Sequence, residues 1–325
     1  TFKKALGGLG HKGGDLRTEK DLSIKWAMVV VVLVALALVL IPSVPISIIA
    51  AIIIIIFGFF FATVSSRMVG LVGSSNNPVS GMAIATLLIA TMILKATGKT
   101  GIQGMTMAIC IGTVICIIAA MAGDTSQDLK TGYIVGATPY RQQIGELIGA
   151  VCAGLAIAGV LMLLDSAWTF GTDKLPAPQA TLMKMVTEGV MEGNLPWNLV
   201  FIGVFLAIGL EILRIPVMPF AIGLYLPIYL NATIMIGGVV RMVMDARKNV
   251  DEKTKEQQST DGTLYCAGMI AGEGIIGILL AVFAVVKIDS KIILPFHLPQ
   301  VGSLVLYIAL LVLLYVVCMK ADKEK

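Results

Sequence analysis

Ile46-Ser47-Ile48-Ile49-Ala50-Ala51-Ile52-Ile53-Ile54-Ile55-Ile56-Phe57-Gly58-Phe59-Phe60-Phe61-Ala62-Thr63-Val64-Ser65-Ser66 contains no charged residue, and five consecutive isoleucines stand at its centre. A hydrocarbon core is crossed by roughly 20 apolar residues in a helix, so this stretch has the length of one crossing. Inside lipid every backbone N–H and C=O must find a partner within the protein, and an isolated segment can manage that only as a helix. Isoleucine's preference for strands in water therefore gives way here. The segment before it, Ile24 to Ile41, carries only Lys25 at its edge.

The rest of the chain follows the same pattern. Of 325 residues 57% are hydrophobic and 14% charged, and the mean hydropathy is +0.93. Soluble domains carry about 25% charged residues, too many for this chain to be one. Nine apolar segments are marked, at about 24–41, 46–66, 81–97, 102–122, 144–164, 197–215, 217–239, 263–286 and 301–319. The expected fold is all-α, a polytopic transmembrane bundle of about eight spans plus one re-entrant or broken segment. Residues 1–23 read as a cytoplasmic tail or a cut loop, 24–319 as the membrane domain and 320–325 as a second tail. Since the chain opens at Thr1 on a hydrophilic stretch, it reads as the C-terminal part of something longer.

Net charge is +4 and the isoelectric point near 8.7, but the Lys and Arg residues stand at segment ends. Loop topology accounts for them, and no nucleic-acid partner is expected. Basic residues crowd the first tail, the connection 240–262 (Arg241, Arg247, Lys248, Lys253, Lys255) and the C-terminus (Lys320, Lys323, Lys325). All three are expected in the cytoplasm, at a plasma (inner) membrane. Seven segments precede residue 240, so one of them must enter and leave on the same side. Segment 217–239 is favoured, because Pro216, Pro219 and Pro227 interrupt a helix and Asn231 and Gly237-Gly238 follow. The start of 68–97, around Asn76-Asn77-Pro78, is the alternative.

Ionisable groups at membrane depth are expensive and mark candidate sites. Glu273 lies about ten residues into its segment among Gly268, Gly272, Gly274 and Gly277, a place for a proton carrier or for a protonated carboxyl bonding a neighbouring helix. Glu211 is a weaker candidate, since Arg214 three residues on would share its helical face and pair with it. The uncharged run Gly70 to Gly81 joins two spans and holds Ser74, Asn76, Asn77 and Ser80. Such a run builds a substrate site at a broken helix, or it forms a surface loop. Tyr225 and Asn231, beside Pro227, complete the candidate substrate residues.

Enzyme readings fail on inventory. Gly98-Lys99-Thr100 resembles a P-loop end, but Ile93 occupies the first glycine position. The only histidines are His11 and His297, and no H-E-x-x-H occurs. The five cysteines, Cys110, Cys116, Cys152, Cys266 and Cys318, lie in apolar segments without metal-ligand spacing and read as small core residues. No cofactor is expected beyond a coupling proton.

Three blocks carry a resemblance. Ser75-Asn76-Asn77-Pro78-Val79-Ser80-Gly81-Met82 with Ile84-Ala85-Thr86-Leu87 resembles the signature of the oligopeptide transporter family. So does Gly123-Asp124-Thr125-Ser126-Gln127-Asp128-Leu129-Lys130-Thr131-Gly132, leading to Gly136-Ala137-Thr138-Pro139 and Gln142-Gln143. The third is Pro219-Phe220-Ala221-Ile222-Gly223-Leu224-Tyr225-Leu226-Pro227. The blocks are in family order across residues 60–280. The resemblance implies a secondary transporter, with proton-coupled symport of small peptides or metal–chelate complexes. It also implies about twice as many spans in the full protein, with an N-terminal half outside this chain. A channel or passive pore lined by Ser74, Asn76 and Asn77, and a non-transporting membrane scaffold, are the other classes that the residues allow.

Overall fold

A computed structural model describes residues 16–42, 44–73, 77–247, 250–288 and 299–320. Among them the chain is an all-α protein of eleven helices without a β-strand. In chain order these are α1 Ile24–Leu40, α2 Ile48–Val72, α3 Val79–Ala96, α4 Gly101–Val135, α5 Pro139–Trp168, α6 Pro178–Glu192, α7 Trp197–Ile212, α8 Val217–Tyr225, α9 Ile228–Asp245, α10 Glu252–Val286 and α11 Gln300–Lys320. Eight are long and apolar enough to cross a membrane: α1 to α5 and α9 to α11. The whole of α1 and α5 buries no residue, and their exposed faces are Val, Leu, Ile and Met, which suits contact with lipid tails.

The chain divides into two compact units, residues 1–156 with 179–203, and residues 157–178 with 204–325. In the first, α2 and α4 run side by side in the same direction. Ser47 Oγ donates to Met107 Sδ at 3.5 Å near one end, and Ser126 Oγ to Ser66 O at 2.9 Å near the other. α3 returns antiparallel against α4, where Leu87 lies over Gly112. Ala50, Ala90, Ala108 and Ala119 are fully buried, alongside Leu94, Ile111 and Ile115. Small side chains allow this approach, and dispersion rather than hydrophobic exclusion holds helices together in lipid.

Several sequence boundaries are corrected. The polar stretch 124–143, which lies between two of the apolar segments, is helical to Val135. α4 leaves the apolar zone near Gly123 and continues, because nothing between Gly123 and Val135 breaks it. It stops at Gly136, whose φ of 72° is left-handed, and Ala137 N closes the end onto Gly132 O at 2.7 Å. The connection 240–262 shrinks likewise, since α9 runs to Asp245 and α10 begins at Glu252. Segment 217–239 is two helices, α8 and α9, parted at Leu226-Pro227. Proline has no N–H for the helical ladder, which accounts for the break.

In the second unit α10 and α11 pack together, and α9 meets α11. Arg241 Nε pairs with Asp245 Oδ2 at 2.8 Å, and Arg241 also donates to Ser259 Oγ. Lys255 Nζ reaches Asp245 O at 3.2 Å, so the basic residues of this region tie the end of α9 to the start of α10.

Candidate functional site

The ends of α2 and α3 and the middle of α4 meet in one polar knot. Ser65 and Ala119 are fully buried at the crossing of α2 and α4, and Ser65 Oγ donates to Ala119 O. Asn77, just ahead of α3, places its amide on the same spot. Its Nδ2 donates to Ser65 Oγ at 2.7 Å and to Ala119 O at 3.2 Å. Gly123, one turn along α4, forms the floor. A Cβ there would lie 2.6 Å from Asn77 Nδ2, 2.9 Å from Val69 Cγ2 and 3.1 Å from Ser65 Oγ. Only glycine lets the amide and both helices approach so closely.

The amide is used on one side only. Asn77 Oδ1 is buried and has no hydrogen-bond partner among the described residues. A buried acceptor without a donor costs desolvation, about 1–3 kcal/mol, so this oxygen is a place where a donor would bind favourably.

Above the knot, the second motif block grips the end of α2. Lys130 Nζ donates to Gly70 O at 2.9 Å, a cation on a helix C-terminus, where the macrodipole favours it. Gln142 lies flat on Gly132, where a Cβ would overlap its carboxamide, and its Nε2 donates to Asp128 O at 3.1 Å. Gln142 Oε1 and Glu146 Oε1, one turn apart on α5, are buried without a hydrogen-bond partner among the described residues. Gln143 faces the segment ahead of α1. Leu22 N donates to its Oε1 at 2.8 Å, and its Nε2 donates to Asp21 Oδ1 at 3.3 Å. Arg17 adds bonds to Thr138 Oγ1 at 3.0 Å and Gly136 O at 2.9 Å, so residues 17–22 strap the α4–α5 corner.

The remaining expected residues are spread over both units. Ser74 and Asn76 lie outside the described residues. Ser80 accepts from Gln179 Nε2 at 3.4 Å at the start of α3. In the second unit Asn231 Nδ2 donates to Gly223 O at 2.8 Å and to Leu226 O at 3.0 Å. Its amide thus satisfies carbonyls that the break at Pro227 leaves over. Tyr225 is the last residue of α8, beside that break. Glu273 is exposed on α10, and a Cβ at Gly268, Gly272, Gly274 or Gly277 would meet nothing within 4 Å. Glu211 is exposed near the end of α7. Arg214 is past that end with φ 58°, so it does not share Glu211's helical face as the spacing had suggested. Among the described residues no three His, Cys, Asp or Glu side chains gather as metal ligands.

Ser65, Ser126 and Lys130 were not singled out as site residues. Ser126, Lys130 and Gly123 all stand in the second motif block, which was their available signal. Ser65 had none beyond a hydroxyl closing an apolar run.

An all-α bundle with eight helices fit to cross a bilayer, and a polar knot where two motif blocks meet, defines an integral multi-pass membrane protein. The chain belongs to the oligopeptide transporter family: the family described as OPT oligopeptide transporter protein matches residues 11–284. It is 30% identical over 319 residues to a Haemophilus influenzae protein named for oligopeptide transport, covering 84% of this chain and 50% of that one. A Saccharomyces cerevisiae protein similarly named is 24% identical, over 70% of this chain and 33% of its own. An Oryza sativa subsp. japonica protein named for metal-nicotianamine transport is 29% identical, over 56% of this chain and 27% of its own. The chain therefore spans half or less of the length of these relatives. No solved structure matches it.

Proposed function

We propose that the chain forms part of a secondary active transporter, not an enzyme, that carries small peptides or metal–chelate complexes in symport with protons. The family and the names of the relatives support the solute classes. The observation that carries the site is Asn77, whose amide nitrogen ties α2 to α4 while its buried oxygen has no partner among the described residues. Peptides and amino-acid chelators both present N–H groups that suit such an acceptor. Ser74, Asn76, Ser80, Tyr225 and Asn231 are each proposed as further substrate-binding residues. Glu273 is assigned the coupled proton, because an ionisable residue inside a membrane-spanning helix is costly and marks a functional site, and Glu211 is the second candidate. Both termini are assigned to the cytoplasm, and the protein to the plasma (inner) membrane.

The experiment separates tying from binding. Ser65→Ala removes the hydroxyl that Asn77 Nδ2 bonds but keeps Asn77 Oδ1, whereas Asn77→Ala removes both. In proteoliposome counterflow with labelled dipeptides, Asn77→Ala raises KM well above wild type and Ser65→Ala leaves it close to wild type. Equal KM values in all three proteins rule out Asn77 as a solute ligand.

A further inference from the structure

In the second unit α11 is covered by α10 along one face and leaves a hollow along another. Cys318 is buried where α11 meets α10, and a Cβ on Gly262 of α10 would lie 2.7 Å from its Sγ. Ile308, Val312, Tyr315 and Met319 are spaced by three and four residues, so they share a different stripe of α11. Val240 and Val243 form the matching stripe of α9, and Arg247 follows one residue past its C-cap, Ala246. Between the two stripes lies a cavity of about 260 Å³ whose walls are apolar throughout. At one end of it Arg247 Nη1 donates to Met319 Sδ. α9 and α11 therefore run in the same direction, and the guanidinium stands one turn beyond Tyr315, at the head of the groove.

Both helices are fit to cross a membrane, and Val243 and Val312 on the groove are about half exposed. Apolar walls offer water no hydrogen bond, and an unfilled hollow forfeits dispersion contacts. A hydrocarbon chain supplies those contacts. Ile308 to Tyr315 gives it about 10 Å of helix to lie along. The chain alone does not select its lipid, because it is as well surrounded among other lipid tails. Selection falls to the head of the groove. Tyr315, with an apolar ring and a polar tip, suits the level where headgroups begin. Arg247 beyond it carries a planar fork of N–H donors that matches a phosphate. Arg241 is paired with Asp245 at 2.8 Å, which leaves Arg247 as the arginine of α9's end that stands at the groove. Basic pockets between spanning helices hold anionic headgroups by this means.

We propose that the groove between α9 and α11 binds an anionic phospholipid, with one acyl chain along Val240, Val243, Ile308 and Val312 and the phosphate on Arg247. The site is independent of the solute reading, since no transported molecule enters the argument. A phosphatidylglycerol with a diazirine in one acyl chain is photolysed with the full-length protein in detergent micelles, and the labelled peptides are found by mass spectrometry. Label falls on residues 239–243 and 308–315. Unlabelled phosphatidylglycerol displaces it, and the same displacement takes about fivefold more phosphatidylcholine, the preference that one basic residue confers. Arg247→Gln abolishes that preference and Arg247→Lys keeps most of it. Val312→Trp fills the groove and removes the label with Arg247 untouched, so the test stands even where Arg247→Gln does not fold. Thermal melts in the same micelles identify the folded variants. Equal displacement by the two lipids overturns the proposal, as does label spread evenly over the exposed faces of α9 and α11. Displacement by glycerol phosphate, which has no acyl chain, overturns it in favour of a soluble anion. Label that reaches other helices but not 239–243 or 308–315 overturns it in favour of a protein segment seated in the groove.

Discussion

Replacing Gly123 by alanine places a methyl group in the middle of the polar knot. Its carbon would be 2.6 Å from Asn77 Nδ2, 2.9 Å from Val69 Cγ2 and 3.1 Å from Ser65 Oγ. Ordinary contact begins near 3.4 Å, so the neighbours must move by 3.4 − 2.6 = 0.8 Å at Asn77 and 3.4 − 3.1 = 0.3 Å at Ser65. A shift of that size at Asn77 Nδ2 takes its 2.7 Å bond to Ser65 to the limit of a hydrogen bond. Overpacking costs about 1–3 kcal/mol. Interhelical hydrogen bonds in membranes contribute about 0.6 kcal/mol each, and two are at stake. The sum is about 2–4 kcal/mol for Gly123→Ala, against about 1 kcal/mol for Asn77→Ala, which loses only the bonds. The double variant removes the closest clash, so it is less destabilised than the two single costs added together. Thermal unfolding of the four proteins in one detergent measures this cycle. Additive costs, or a Gly123→Ala protein as stable as wild type, refute the knot.

Three further outcomes are expected. Asn231→Ala strands Gly223 O and Leu226 O at the Pro227 break, lowers stability by about 1–2 kcal/mol and is read in the same melt; an unchanged melting temperature contradicts the capping role. Glu273→Gln retains size and some hydrogen bonding but has no proton to release, so solute exchange persists while pH-driven accumulation is lost; accumulation against a gradient by this variant moves the proton to Glu211 or elsewhere. A cysteine at Lys253, exposed at the start of α10, stays unlabelled by an impermeant reagent outside intact cells, and ready labelling reverses the proposed orientation.

The parts legible in the sequence were those set by single physical demands. Apolar runs of crossing length, charge-free at 46–66 and with only Lys25 at the edge of 24–41, announced α2 and α1, and Pro227 announced a broken helix where α8 and α9 part. Polarity misled where two demands overlap. A helix emerging from lipid keeps its backbone pattern while its side chains turn polar, so the apolar segment 102–122 stops short of Asp124 to Val135, the last third of α4. At the site, Asn77 was legible as polar residue beside a proline in an uncharged joint. Its partners were not, because Ser65 and Ala119 are 12 and 42 residues away and only packing brings them together.

The central claim is proton-coupled carriage, and uptake into proteoliposomes under an imposed pH gradient tests it most directly. With labelled di- and tripeptides and with metal–chelate complexes in turn, at least one solute accumulates above its outside concentration, and a protonophore abolishes the excess. Equilibration without accumulation identifies a passive pore, no movement of any solute identifies a scaffold, and either result contradicts the account.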